Sequence, residues 1–223
     1  MNQKKVVVII VAGGSGTRFK SKILKPFALL RGKPLISHPL RIFEQNKAIN
    51  VIIVVGHKDY LRRFETICRP FKKIKAVVAG GATRAESVKS GLAAIDADAD
   101  IILVHDAARP LIDNAMIERL LAALVKDKAA IVAVPVKATI KQIDPKNLIV
   151  AETLKRDLLW EVQTPQGFHK DILIKAHQQA FKGEATDDAM LVEHIGVKVK
   201  IVMGDYRNIK VTTPEDLKIA KVL

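Results

Sequence analysis

Short runs of β-branched apolar residues recur along the chain, with stretches of helical spacing between them. Val6–Val11, Val51–Val55, Ile74–Ala79, Ile101–Val104 and Ala130–Val134 are five such runs. Their shortness and their Val and Ile content predict strands covered on both faces. Ile36–Gln45, Asp59–Cys68, Thr83–Ile95 and Asn114–Lys126 carry the spacing of amphipathic helices. Strands and helices in alternation predict an α/β, Rossmann-like fold, a mostly parallel sheet with helices on both faces. Right-handed crossovers then set the loop after each strand along one edge, where such sheets bind ligands.

The rhythm breaks after Pro135. Residues 136–160 alternate polar and apolar positions around Asp144-Pro145-Lys146-Asn147, a turn sequence, and read as a β-arm inserted into the α/β domain. The pattern resumes with a helix after Phe168, another near Thr186, and a strand at Lys198–Val202. A last helix opens at Thr213-Pro214, with Thr as N-cap and Pro in the first turn. No internal repeat or low-complexity linker divides residues 1–223, which are expected to form a single domain carrying the 136–160 insertion.

Composition narrows the possibilities. Hydrophobic residues make up 49% of 223, enough for a sizeable core, which argues against disorder. No apolar run reaches the roughly 20 residues that span a bilayer, and Val6–Val11 is too short and β-branched for a signal-peptide core. Cys68 is the only cysteine, so an internal disulfide is impossible, a cysteine-based zinc site is not expected, and a reducing cytoplasm fits. The formal net charge of +14 has two readings, a nucleic-acid surface or a lysine-rich chain with a site for small polyanions. The lysines are scattered, and aromatics make up only 4%, which leaves few platforms for stacking bases. The expectation is therefore no nucleic acid and no membrane.

The first strand runs into Ala12-Gly13-Gly14-Ser15-Gly16-Thr17-Arg18. Glycines let a backbone approach phosphate closely and concentrate N–H donors in a small volume. The dinucleotide fingerprint fails, because Phe19 stands where its third glycine belongs and no acidic residue ends the second strand at Val55-Gly56-His57. The P-loop fails as well, for Gly-Lys-Ser/Thr is missing at its spacing. What remains is a glycine turn closed by Arg18, with Lys25 seven residues later. That suits a triphosphate, and it equally suits a tight turn flanked by solvated charges.

The other strand-end segments decide between those readings. Gly80-Gly81-Ala82-Thr83-Arg84-Ala85-Glu86-Ser87-Val88 and His105-Asp106-Ala107-Ala108-Arg109-Pro110 follow the third and fourth apolar runs. Thr164-Pro165-Gln166-Gly167-Phe168, Thr186-Asp187-Asp188 and Asn208-Ile209-Lys210-Val211-Thr212 come later. With the glycine loop, these six segments resemble, in order, the motifs of the methylerythritol phosphate cytidylyltransferases, from about residue 6 to residue 220. Departures are local. Pro26 and Phe27 follow Lys25 where the family often has Gln, Phe19 replaces a frequent Met, and Ala82 stands where an acidic or polar residue is common.

The resemblance implies CTP and a polyol phosphate as substrates. It implies Ala12, Gly13, Gly14, Gly16, Gly81, Ala82, Ser87 and Ala107 around the nucleotide. Arg18 and Lys25 become the catalytic cations on the triphosphate, and Asp106 the anchor for Mg²⁺. Arg109, Thr186 and Lys210 would grip the acceptor. In the family the arm crosses to a second subunit, and Thr139 and Arg156 match its positions, which implies a homodimer with shared acceptor sites.

A phosphate monoester is largely dianionic at neutral pH, so it needs no general base to attack phosphorus. A site rich in Arg, Lys and Asp and poor in nucleophiles answers to that chemistry. His105 beside Asp106 is expected to pack or hydrogen-bond within its loop. Ribitol 5-phosphate cytidylyltransferase is the nearest rival, because it shares fold and motifs. A basic nucleic-acid-binding module and a sugar-nucleotide binder without turnover are rivals of other classes.

Overall fold

The computed structural model describes residues 4–13, 23–95 and 98–223. Its centre is a seven-stranded sheet of strands β1 (Val6–Ala12), β4 (Val51–Gly56), β5 (Ile74–Ala79), β6 (Ile101–Asp106), β7 (Ala129–Pro135), β10 (Trp160–His169) and β11 (Lys200–Met203). They lie in the order β11-β7-β10-β6-β1-β4-β5. β1 pairs in parallel with β4 and β6, β4 with β5, and β7 with β11. Only β10 runs against its neighbours β6 and β7. The five apolar runs of the sequence are thus β1, β4, β5, β6 and β7, lengthened by at most a residue or two.

Period-two alternation divides the strands between two cores. Val6, Val8, Ile10, Ile101 and Leu103 meet Leu40, Phe43, Phe64, Met116, Ile117 and Leu120 on one face. Those side chains belong to α1 (Ser37–Gln45), α2 (Leu61–Cys68) and α4 (Asn114–Ala123). Val7, Ile9, Ile102 and Val104 face Val88, Ile172, Leu173, Leu191 and Val192 on the other. These come from α3 (Arg84–Ala93), α5 (Lys170–Gln178) and α6 (Asp188–His194). Apolar cover on both sides is why these strands read as unbroken Val/Ile runs. A small third cluster packs β2 (Leu29–Leu30), which pairs with β3 (Lys33–Pro34), against Val211 and α7 (Pro214–Val222). Thr213 caps α7 in a capping box with Asp216.

β10 has no counterpart in the apolar pattern. Gln163, Thr164 and Gln166 sit buried in the middle of the sheet. They are tolerated because their polar groups are paired: Gln163 Nε2 donates to the Asp205 carbonyl at 2.8 Å, and Gln166 Nε2 to Asp187 at 2.7 Å. Between β7 and β10 the chain leaves the sheet to form an antiparallel pair, β8 (Lys141–Asp144) and β9 (Ile149–Thr153). Among the described residues no helix is long and apolar enough to cross a membrane.

Candidate active site

The carboxyl edge of the sheet gathers segments far apart in the chain. The end of β1 supplies Ala12 and Gly13, the loop from β5 to α3 supplies Gly81 and Ala82, and the end of β6 supplies Asp106 and Ala107. Lys25 comes from a single 3₁₀ turn, Lys25–Phe27, held down by the buried Pro26 and Phe27. Thr186 precedes α6 and Lys210 precedes α7. All of these, with Ser87, line one cavity of about 510 Å³.

Local chemistry shapes one wall of this cavity. Thr83 caps α3 by accepting the Glu86 N–H at 3.1 Å, and Glu86 Oε2 accepts the N–H groups of Ala82 at 2.7 Å and Thr83 at 3.0 Å. Glu86 therefore presses on Gly81. A Cβ there would stand 2.3 Å from Glu86 Cβ, so only glycine leaves this turn flat. Ser87 is buried and donates its hydroxyl to the Thr83 carbonyl at 2.9 Å.

Asp106 is the electrostatic centre. Its Oδ1 lies 3.2 Å from Arg84 Nε and its Oδ2 lies 2.5 Å from Lys210 Nζ. Burial alone would raise this carboxyl, but Arg84, Lys210 and Arg109 hold it well below the ordinary carboxylate range. It is therefore a fixed negative charge. Among the described residues each oxygen has one side-chain cation against it, which leaves lone pairs for a hard cation. Among the described residues no three His, Cys, Asp or Glu side chains cluster as a metal site. This donor set fits an ion that takes most of its ligands from phosphate and water, and does not fit an all-protein cage.

His105 stands behind that carboxylate. It is fully buried, edge-on to Phe43 at 5.2 Å, and burial pushes its imidazole down to about 4. Its Nε2 meets the Arg109 carbonyl at 3.1 Å, an acceptor only, so Nε2 carries the proton. Nδ1 is then the acceptor, and Thr164 Oγ1, 3.1 Å away, donates to it. The same oxygen accepts the Asp106 N–H at 3.1 Å. His105 thus serves the loop by packing and hydrogen bonding, as expected.

A family model for 2-C-methyl-D-erythritol 4-phosphate cytidylyltransferase matches residues 6–223. The chain belongs to that family. It is 44% identical to the cytidylyltransferase of this name from Alkaliphilus oremlandii over 225 residues, covering 99% of this chain and 95% of that protein. With the one from Alkaliphilus metalliredigens it shares 45% over 222 residues, 97% and 92% of the two chains. The crystal structure of 4-diphosphocytidyl-2C-methyl-D-erythritol synthase from Anaerococcus prevotii superposes with a TM-score of 0.87 at 33% identity, covering 99% of this chain and 98% of that one.

For a chain of this cytidylyltransferase family, the structure brings together Ala12, Gly13, Lys25, Gly81, Ala82, Ser87, Asp106, Ala107, Thr186 and Lys210. Gly14, Gly16 and Arg18 lie outside the described residues. Arg109 is not at the cavity lining. It is 6% exposed, and its guanidinium donates to the carbonyls of Asn208 at 2.7 Å and Val162 at 3.0 Å. Those bonds commit it to bracing the β6 loop against β10. Thr139 and Arg156 are exposed beside the β8–β9 pair and also stand away from the cavity of their own chain; Arg156 Nη1 donates to the Lys137 carbonyl at 3.2 Å.

Sequence reasoning assigned no role to Arg84, Asp188 or His177. Arg84 lines the cavity and bridges Asp106 to Asp188. Two of these residues lie inside quoted motifs, but no spacing says which carboxylate an arginine reaches.

Proposed function

We propose that this protein transfers the cytidylyl group of CTP to 2-C-methyl-D-erythritol 4-phosphate. Pyrophosphate leaves and the CDP-methylerythritol intermediate of non-mevalonate isoprenoid biosynthesis forms. The observation that carries the reading is the single cavity holding Gly81, Ser87, Lys25, Asp106 and Lys210. A dianionic acceptor phosphate supplies the oxygen nucleophile. A P–O bond forms to the α-phosphorus of CTP as the bond to the β-phosphate oxygen breaks, and no proton needs to move.

The protein's task is to bring two polyanions together and hold them in line. Gly81 and Ser87 give the base a flat, close wall. Lys25, with Arg18 of the glycine loop, offers cationic donors to the triphosphate and to the charge gathering on the departing pyrophosphate. Lys210 and Thr186 face the acceptor. Asp106 would hold Mg²⁺, and the ion when bound supplies charge neutralisation to the phosphates. Neutral His105 takes no part as a base.

The reading includes a cytoplasmic homodimer formed through the arm. Leu148, Ile149, Val150 and Leu158 on and beside the β8–β9 pair are 76%, 62%, 52% and 76% exposed, apolar side chains in want of cover on both faces of the arm. Thr139 and Arg156 would then reach the partner's acceptor. Pyrophosphate release tests the activity, with CTP offered alongside 2-C-methyl-D-erythritol 4-phosphate, ribitol 5-phosphate or no acceptor, and with ATP, GTP and UTP as controls. Release dependent on CTP and the methylerythritol phosphate is expected. A preference for ribitol 5-phosphate, or no release with any acceptor, overturns the assignment.

A further inference from the structure

Behind the cavity lies a charged chain that the phosphoryl-transfer reading does not use. Arg84, at the first residue of α3, extends its guanidinium between two carboxylates. Nε meets Asp106 Oδ1 at 3.2 Å, and Nη1 meets Asp188 Oδ2 at 2.7 Å. Asp188 is fully buried, and its other oxygen lies 3.0 Å from Nε2 of His177, which is itself 5% exposed. The Asp188 backbone N–H donates to Gln166 Oε1 at 3.2 Å, which ties the start of α6 to β10. Arg84 Nη2 is buried without a hydrogen-bond partner, so this guanidinium is held by charge more than by full donor satisfaction.

Burying a carboxylate costs stability even when it is paired, and an apolar pair would tie α3 to α6 at less cost. The arrangement instead governs how Arg84 approaches Asp106. Guanidinium and carboxylate left to themselves prefer a two-pronged fork. Here Asp188 holds Nη1 and so sets the plane of the guanidinium, and Arg84 reaches Asp106 through Nε and Oδ1 alone while Nη2, the other arm of the Nε-side fork, stays unpaired. Oδ2 remains with Lys210.

We propose that Asp188, backed by His177, is a positioning residue that turns Arg84 so that Asp106 keeps one oxygen for Lys210 and a fixed orientation toward the cavity. Without Asp188, Arg84 forks onto both Asp106 oxygens and displaces Lys210. The inference rests on the cytidylyltransferase reading of Asp106 and Lys210.

The test uses the full-length protein as Arg84→Gln, Asp188→Asn and the double variant. Turnover is measured per active site, CTP affinity by calorimetry without acceptor, and geometry by crystal structures of wild type and Asp188→Asn. Loss of an outer-shell partner is expected to lower kcat/KM for the acceptor about 10- to 100-fold, through the Lys210 contact and the orientation of Asp106, with CTP Kd changed less than about threefold. The double variant should be no slower than Arg84→Gln, because one acts through the other. It also removes both buried charges together, so it folds even if Asp188→Asn does not. In the Asp188→Asn crystal the Arg84 fork should replace the Lys210 contact.

A kcat/KM for the acceptor in Asp188→Asn within about twofold of wild type, or losses that multiply in the double variant, would overturn the proposal. If Asp188→Asn is unfolded, a double variant slower than Arg84→Gln overturns it. A wild type without turnover refutes the activity instead, and the crystal geometry then decides the positioning role: an unmoved Lys210–Asp106 contact in Asp188→Asn refutes it.

Discussion

Lys210 Nζ lies 2.5 Å from Asp106 Oδ2, joining the loop before the last helix to the end of a central strand. The lysine side chain is 38% exposed and the aspartate side chain 10%, so the cation is the more solvent-facing member of a pair that lines the cavity. If Lys210 binds the acceptor as proposed, replacing it by Ala removes a charge-assisted contact worth a factor of roughly 10 to 100. The KM for the polyol phosphate is expected to rise by that factor while the Kd for CTP stays within about threefold. Titration of each substrate separately checks this, and a matched loss for both would contradict it.

Thr164 offers one oxygen to two buried partners, the Asp106 N–H and His105 Nδ1. Valine has the same shape and neither capacity. Thr164→Val is expected to lower stability by about 1–3 kcal/mol, the cost of leaving buried polar groups unpaired. Thr164→Ser should recover most of it. Denaturant unfolding of the three proteins measures the differences, and a valine variant as stable as wild type would show that this oxygen is dispensable.

Cys68 closes α2, 4% exposed against the core. Burial, and then Glu65, push its thiol up to about 12. A thiol whose folded value is raised adds stability that is intact below its free value near 9 and fades as pH climbs toward about 12. At pH 8 iodoacetamide should therefore label the native protein far more slowly than the urea-unfolded chain. Equal rates would place the thiol at the surface.

Arg156 stands apart from the cavity of its own chain, on the strap that leads from β9 to β10. If it completes the neighbour's acceptor site, Arg156→Ala folds normally and raises the acceptor KM. Mixed after reversible dissociation with Lys25→Ala, itself expected to lose turnover more than CTP affinity, it should then restore about a quarter of wild-type turnover. Half the dimers would be hybrids carrying one intact site, as expected for an isologous pair. Mixtures no more active than either parent would rule out the shared site.

Most of the central sheet is legible from the residues because its parallel strands are buried on both faces. Val6–Val11 and Ile101–Val104 have no polar position to offer water, so their pattern is continuous. β10 is hidden for the converse reason. Gln163, Thr164 and Gln166 are acceptable inside a sheet only because Asp205, His105 and Asp187 lie ready to pair with them. No window of sequence contains those partners.

The candidate site divides along the same line. Glycines after a strand, a cation after them and an aspartate at a strand end are chemical statements, and residue order alone makes them. Whether a charged side chain faces a ligand or braces a loop depends on which carbonyl or carboxylate reaches it first. Arg109 and Arg84 look alike in the sequence; one is committed to backbone carbonyls beneath the cavity, the other links Asp106 to Asp188. The chain by itself determined the layers, the strand-end loops and the chemistry they carry. Only the packed structure decided which charges meet, because hydrogen bonds and ion pairs act over a few ångströms in space whatever the distance along the chain.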